Sequence, residues 1–150
     1  MSNKTVSVRV VRRFKASPER VFDAWLDPNT ARRFLFTDAN GEVIRCEIEP
    51  RVGGKFLIVD RRTSGDSKYT GDIEHTGEYL EIDRPHRLVF TFNVPRYTPL
   101  ATRVSIEILP IRDGCELSLT HTGVLPEYEK DTNAGWNLIL DGLAGILGQE

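Results

Sequence analysis

Cysteine is scarce in this chain. Cys46 and Cys115 are its only two, far apart, with no CxxC spacing and no histidine at metal-ligand spacing. A metal site is therefore not expected, and free thiols fit a cytoplasmic setting. Long hydrophobic runs are missing too. No apolar stretch precedes Val6, so no signal peptide is visible, and no segment approaches the length of a membrane span. Nor does one sign of charge dominate. The 20 Lys and Arg against 22 Asp and Glu leave a net charge of -2, which argues against a nucleic-acid binder working through a general positive field.

Chemical signatures are equally thin. No nucleophile has a base partner at a recognisable spacing, and neither a zinc pattern nor a cofactor motif is present. Gly53-Gly54 lies between strand-like segments rather than before a helix, so it does not read as a phosphate-cradling loop. The pairs Arg12-Arg13, Arg32-Arg33 and Arg61-Arg62 read most simply as solvated faces. There are no repeats, low-complexity tracts or linkers, and 150 residues suit one domain over 1–150.

What the chain does have is a long amphipathic stretch at its end. Pro126 to Gln149 reads as one helix, with Pro126 at a first helical position and Glu127 and Glu129 at the positive end of the dipole. At about 100° per residue, Trp136, Leu140, Leu143 and Leu147 share roughly 60° of arc, and Ile139 and Ile146 widen the stripe. Gly135, Gly142 and Gly145 interrupt it. Their simplest reading is close approach to a neighbouring backbone; the alternative is a helix kept loose enough to move over a cavity.

The rest of the chain is material to cover that stripe. Thr5 to Phe14 reads as a half-buried strand. Ser17-Pro18-Glu19 starts a helix carrying Val21, Phe22, Trp25 and Leu26, and Asp27-Pro28 starts a second, running to about Phe34. A meander follows: strands at Val43–Glu49, Lys55–Arg62, Tyr69–Ile82, Arg87–Val94, Thr102–Leu109 and Cys115–Thr122. Ser64-Gly65-Asp66 and Arg112-Asp113-Gly114 are the hairpin turns, Pro95 to Ala101 is a loop, and Gly71 or Gly77 marks a bulge. The expected class is α+β, an antiparallel sheet with helices at its ends.

Several local patterns together resemble a known family. They are Ser17 to Trp25 followed by Asp27-Pro28; Val52-Gly53-Gly54-Lys55-Phe56; Gly77 to Ile82 with Arg87 to Thr91; and Leu117 to His121 followed by Gly135-Trp136, Leu140 and Leu143. Their order and spacing, from about Val8 to Leu147, are similar to the SRPBCC superfamily, also called START-like or Bet v 1-like. Within it they resemble the homologues of the C-terminal domain of the heat-shock protein 90 ATPase activator. The resemblance implies a helix-grip fold: a curved antiparallel sheet of about six to seven strands, two short helices after the first, and the long C-terminal helix over the concave face. It also implies a hydrophobic cavity between sheet and helix. One departure is visible: the second short helix of this branch often ends with tryptophan, where Phe34 and Phe36 stand here.

On that frame the expected cavity lining is Trp25, Phe34, Phe56, Ile58, Asp60, Tyr79, Phe92, His121, Trp136, Leu140 and Leu143. Phe56, Ile58 and Asp60 share a strand face, yet Asp60 adjoins Arg61 and Arg62, so a strand-end position in water is its simpler reading. Leu117, Leu119 and His121 share another face, which points His121 toward the helix. His75 and Tyr79 share a face whose side the sequence leaves open. Three functions follow as expectations. The first is binding of a small hydrophobic molecule, without cofactor, nucleic acid or membrane insertion. The second is partnership with the chaperone, although the fuller activators carry a further N-terminal domain for which 150 residues leave no room. The third is an enzyme of the polyketide cyclase or hydrolase type, if Asp60, His75, Tyr79 and His121 converge. A homodimer is left open.

Overall fold

The computed structural model describes residues 4–37, 41–63, 70–96 and 101–147. The first strand, β1 (Val6–Phe14), leads into two short helices, α1 (Pro18–Leu26) and α2 (Pro28–Ala31). Both start as the sequence indicates. The Ser17 hydroxyl accepts the Arg20 N–H, the Asp27 carboxylate accepts the Asn29 N–H, and a proline opens each helix. The second helix is shorter than expected. It closes at Ala31, and Arg32 to Phe36 continues as turns whose Phe34 and Leu35 amides reach back to the Ala31 carbonyl.

Six further strands follow: β2 (Gly41–Ile48), β3 (Lys55–Arg62), β4 (Gly71–Asp83), β5 (Arg87–Phe92), β6 (Thr102–Ile111) and β7 (Gly114–Val124). They form one antiparallel sheet of seven strands in the order β1-β7-β6-β5-β4-β3-β2. Boundaries shift by a few residues from the sequence reading. Asn93, placed in a strand, makes only an isolated bridge to Thr76. The expected Ser64-Gly65-Asp66 hairpin loop and the strand start at Tyr69 lie outside the described residues, as do Tyr97 to Leu100 of the following loop.

The chain ends with α3 (Glu129–Ile146), which packs against β1 and buries Trp136, Ile139, Leu140 and Leu143. It is not one helix from Pro126. Pro126–Tyr128 forms a separate 3-10 turn, because Tyr128 breaks from helical geometry at φ -103° and ψ 1°. Gln149 lies outside the described residues. The architecture is α+β, with helices against one face of the sheet. No helix among the described residues is long and apolar enough to cross a membrane.

The alternation of each strand sets the core. Val8, Val10 and Phe14 of β1, Leu117, Leu119 and His121 of β7, and Val104, Ile106 and Ile108 of β6 all point inward. In β4 the bulge falls at Leu80, between Tyr79 and Glu81, not at Gly71 or Gly77. It lets Tyr79, paired with Phe90, and Ile82, paired with Leu88, both face the core although three positions apart. Further register breaks near Val6 and Val43 bend the sheet at both edges.

Gly77 has a different task. A Cβ there would collide with the Thr91 carbonyl and with the Phe56 ring, which lies across it. In α3 the glycines divide. Among the described residues only Gly142 packs closely, with a Cβ position 3.3 Å from Phe34, whereas Gly135 and Gly145 would meet nothing within 4 Å. Close backbone approach therefore fails as their common explanation. Gly77→Ala should destabilise by about 3 kcal/mol, since the backbone carbonyl cannot move aside. Gly145→Ala should instead stabilise by about 0.5–1 kcal/mol. Urea unfolding of the two variants gives the comparison, and equal effects would refute the packing assigned to Gly77.

Candidate functional site

The site lies where the first half of α3 crosses the sheet. Trp136 is 4 % exposed, and its indole N–H donates to His121 Nδ1 at 3.0 Å. With Nδ1 accepting, the imidazole proton sits on Nε2, which meets the Thr102 hydroxyl at 2.7 Å. That hydroxyl in turn donates to the Phe92 carbonyl at 3.0 Å. One hydrogen-bond chain thus joins α3, β7, β6 and β5. It needs a neutral histidine, because a proton on Nδ1 would face the Trp136 N–H. Burial acts in the same direction and pushes the His121 pKa down to about 4.

Beside this chain lies Phe36, which the sequence reading did not place in the site. It follows the turns after α2 and takes the left-handed backbone region, at φ 58°. For a bulky side chain that conformation costs of order 1–3 kcal/mol and must be held by its surroundings. The surroundings are rings. Phe36 stacks on His75 with centroids 4.8 Å apart and planes 2° from parallel, on Phe92 at 4.9 Å, and on Phe56 at 6.0 Å. Trp136 meets it edge-on at 5.8 Å. His75 Nδ1 lies 3.2 Å from the Ile58 carbonyl, and burial lowers its pKa to about 4 despite the nearby Asp60 carboxylate.

Asp60 corrects the expectation of a solvated strand end. It is 1 % exposed, because β3 carries it on the face of Phe56 and Ile58. The Thr37 hydroxyl donates to its Oδ1 at 2.7 Å. Arg62 Nε lies 2.8 Å from Oδ2, an ion pair outside hydrogen-bond alignment. Gly41 leaves room for the carboxylate, which a Cβ at that position would strike. The arginine pairs are likewise more than solvated faces. Arg62 turns inward, and Arg12 reaches Asp141 and Asn137 of α3.

A cleft of about 230 Å³ opens between α3 and these residues. Phe36, Phe92, Trp136, Leu138 and Ile139 supply apolar lining; Thr37, Arg62, His75, His121 and Thr132 supply polar atoms; Gly135 also borders it. Of the residues expected to line a cavity, Phe92, His121 and Trp136 border this cleft. Trp25, Phe34, Phe56, Ile58, Tyr79, Leu140 and Leu143 are packed in the core, and Asp60 sits behind Arg62 and Thr37. Trp25 meets Phe34 edge-on at 5.4 Å and Trp136 at 6.4 Å. Tyr79 packs on Phe56 and Phe90, where burial raises its pKa. Among the described residues no hydrogen bond joins the four candidate catalytic side chains, although the Asp60 carboxylate lies near His75. Among the described residues, His121 bonds Trp136 and Thr102, not Asp60 or Tyr79.

The family model described as "Activator of Hsp90 ATPase homolog 1-like protein" matches residues 15–148. The chain belongs to this family. Solved structures agree on the fold. A Chromobacterium violaceum protein superposes with a TM-score of 0.84 at 24 % identity, covering 96 % of this chain and 98 % of that one. A Staphylococcus aureus protein of unknown function gives 0.82 at 19 % identity, covering 97 % and 94 %. An AHSA1-like protein from Aeromonas hydrophila gives 0.77 at 19 % identity, covering 93 % and 90 %. No curated protein matches the sequence.

Trp136→Ala should cost about 3–5 kcal/mol in equilibrium unfolding, the range for a fully packed ring. A loss of only about 1–2 kcal/mol would mean a loosely lined cavity instead. The pH dependence has a definite sign. His121 titrates near 6.5 when unfolded but only at about 4 when folded. Its neutral form therefore supports the fold fully above pH 6.5, and that support is lost as pH falls toward 4. Between pH 7 and pH 5 the loss from this group should be about 2 kcal/mol. His121→Gln, which can still bond Trp136 and Thr102, should remove that share of the slope; an unchanged slope would refute it.

Proposed function

We propose that this domain binds a small hydrophobic molecule in the cleft between α3 and the sheet, in the cytoplasm and without a cofactor. The observation that carries the reading is the lining itself. Phe36, Phe92, Trp136 and Ile139 present apolar surface at an opening, while the nearby histidines are neutral and already hydrogen-bonded. Pockets for small molecules are mostly apolar with a few placed polar groups, and this cleft has that composition.

The test uses Gly135, which borders the cleft yet leaves open space where a side chain would stand. The purified protein should bind a hydrophobic dye with one-to-one stoichiometry and a change in Trp136 fluorescence. Gly135→Leu should block that binding while keeping or raising helix stability, since leucine is the better helix former. Dye binding unaffected by the leucine would place the site elsewhere and overturn the assignment.

Family membership gives a second reading, a partner of the heat-shock protein 90 ATPase. It predicts a complex with the chaperone and an altered ATPase rate. The enzymatic reading has less support, because Asp60, His75, Tyr79 and His121 each have separate structural partners.

A further inference from the structure

We propose that the Phe36 ring occupies the seat of the domain's own ligand, and that this ligand is a planar aromatic molecule of one or two fused rings. The proposal rests on the ligand-binding reading above and names the chemistry of that ligand.

At about 230 Å³ the cleft is small. Sites that enclose a small molecule usually span roughly 300–1,000 Å³, so binding here calls for one lining group to move. The lining rings differ in how they are held. Trp136 is tied through its N–H to His121, and His75 through Nδ1 to the Ile58 carbonyl. Phe92 sits in the β5–β6 ladder opposite Thr102. Phe36 has no polar atom on its ring, belongs to no strand or helix, and is kept in a left-handed backbone conformation by ring contacts. If the ring leaves, the backbone can relax. Among the lining rings Phe36 is thus the one whose departure is least opposed, and its space joins the cleft it borders.

The shape of the seat sets the ligand class. Its floor is three rings, with planes 2° from Phe36 at His75, 19° at Phe56 and 23° at Phe92. Trp136 stands as a wall at 64°. A flat aromatic ring entering there inherits both the stacked and the edge contacts that Phe36 makes now. A saturated ring is thicker and has no π-face, so it inherits neither. Gly77 maintains the floor, since any side chain there would lift Phe56 out of it.

Indole and cyclohexanol serve as planar and saturated probes, titrated by NMR into the wild type and into Phe36→Gly, a change that also suits the positive φ. If Phe36 competes for the seat and leaves it open a tenth of the time or less, emptying it should tighten indole binding about 10-fold or more. Cyclohexanol binding should gain much less. In the wild type, saturating indole should show contacts to His75 and Phe92 and abolish the Phe36–His75 contact, a readout independent of whether the variant folds. Wild-type contacts between Phe36 and His75 that persist at saturation would overturn the proposal. So would a folded Phe36→Gly that binds indole no more tightly, or that gains equally for cyclohexanol. In those cases the ligand-binding reading survives if the dye still binds and Gly135→Leu still blocks it. Absence of binding for the dye and for both probes would remove the two together.

Discussion

A single buried hydrogen bond, from the Trp136 indole to His121, ties the long helix to the sheet. An indole N–H taken out of water costs free energy unless it finds an acceptor, and the acceptor here stands on β7. The bond therefore fixes both rotation and position of α3. A slide of one residue would strand a donor and an acceptor in an apolar interior. Half-buried Arg12 also joins the two layers through Asp141 and Asn137, but the Asp141 carboxylate is largely in solvent, where such pairs contribute little. Apolar burial supplies the bulk of the attraction between helix and sheet; the indole–imidazole bond selects one arrangement among those that bury similar area.

That choice has consequences further along. Because His121 must accept at Nδ1, its other nitrogen donates to Thr102, and the Thr102 hydroxyl donates to the Phe92 carbonyl. The chain runs through three neighbouring strands and holds the end of β5, where Phe92 forms part of the aromatic floor. Linked hydrogen bonds of this kind strengthen one another in a low-dielectric interior. The floor then determines what can lie on it: the ring of Phe36.

Much of the fold was legible. Period-two alternation gave the strands, Ser17-Pro18 and Asp27-Pro28 gave the short helices, and the apolar stripe gave α3. Motif order gave the helix-grip arrangement. The site was much less legible, for reasons of distance in sequence. Asp60 adjoins two arginines, which suggested water. Its burial depends on Thr37, 23 residues away, and on the absence of a side chain at Gly41. The partners of His121 lie 15 and 19 residues away on different elements. Phe36 offered only a weak signal, as one of two phenylalanines standing where the family branch often has tryptophan. A phenylalanine after a short helix reads as an ordinary core residue, and nothing in its neighbours demands a positive φ. The bulge also escaped its glycine rule, since in β4 it falls at Leu80 while Gly77 serves close packing.

The polar groups near the cleft limit what chemistry remains there. Asp60 is engaged by Thr37 and Arg62, His75 by the Ile58 carbonyl, and His121 by Trp136 and Thr102. A buried group that turned from such a partner toward a ligand would leave that partner unsatisfied, at about 1–3 kcal/mol. The ring faces carry no such commitment. They are apolar and nearly parallel, and among them only Phe36 is held by stacking without a polar tether or a place in a regular element. Recognition at this site is therefore expected to run through stacking and shape. The histidines act as ring surfaces kept neutral by burial, and their nitrogens brace the wall against which the helix rests.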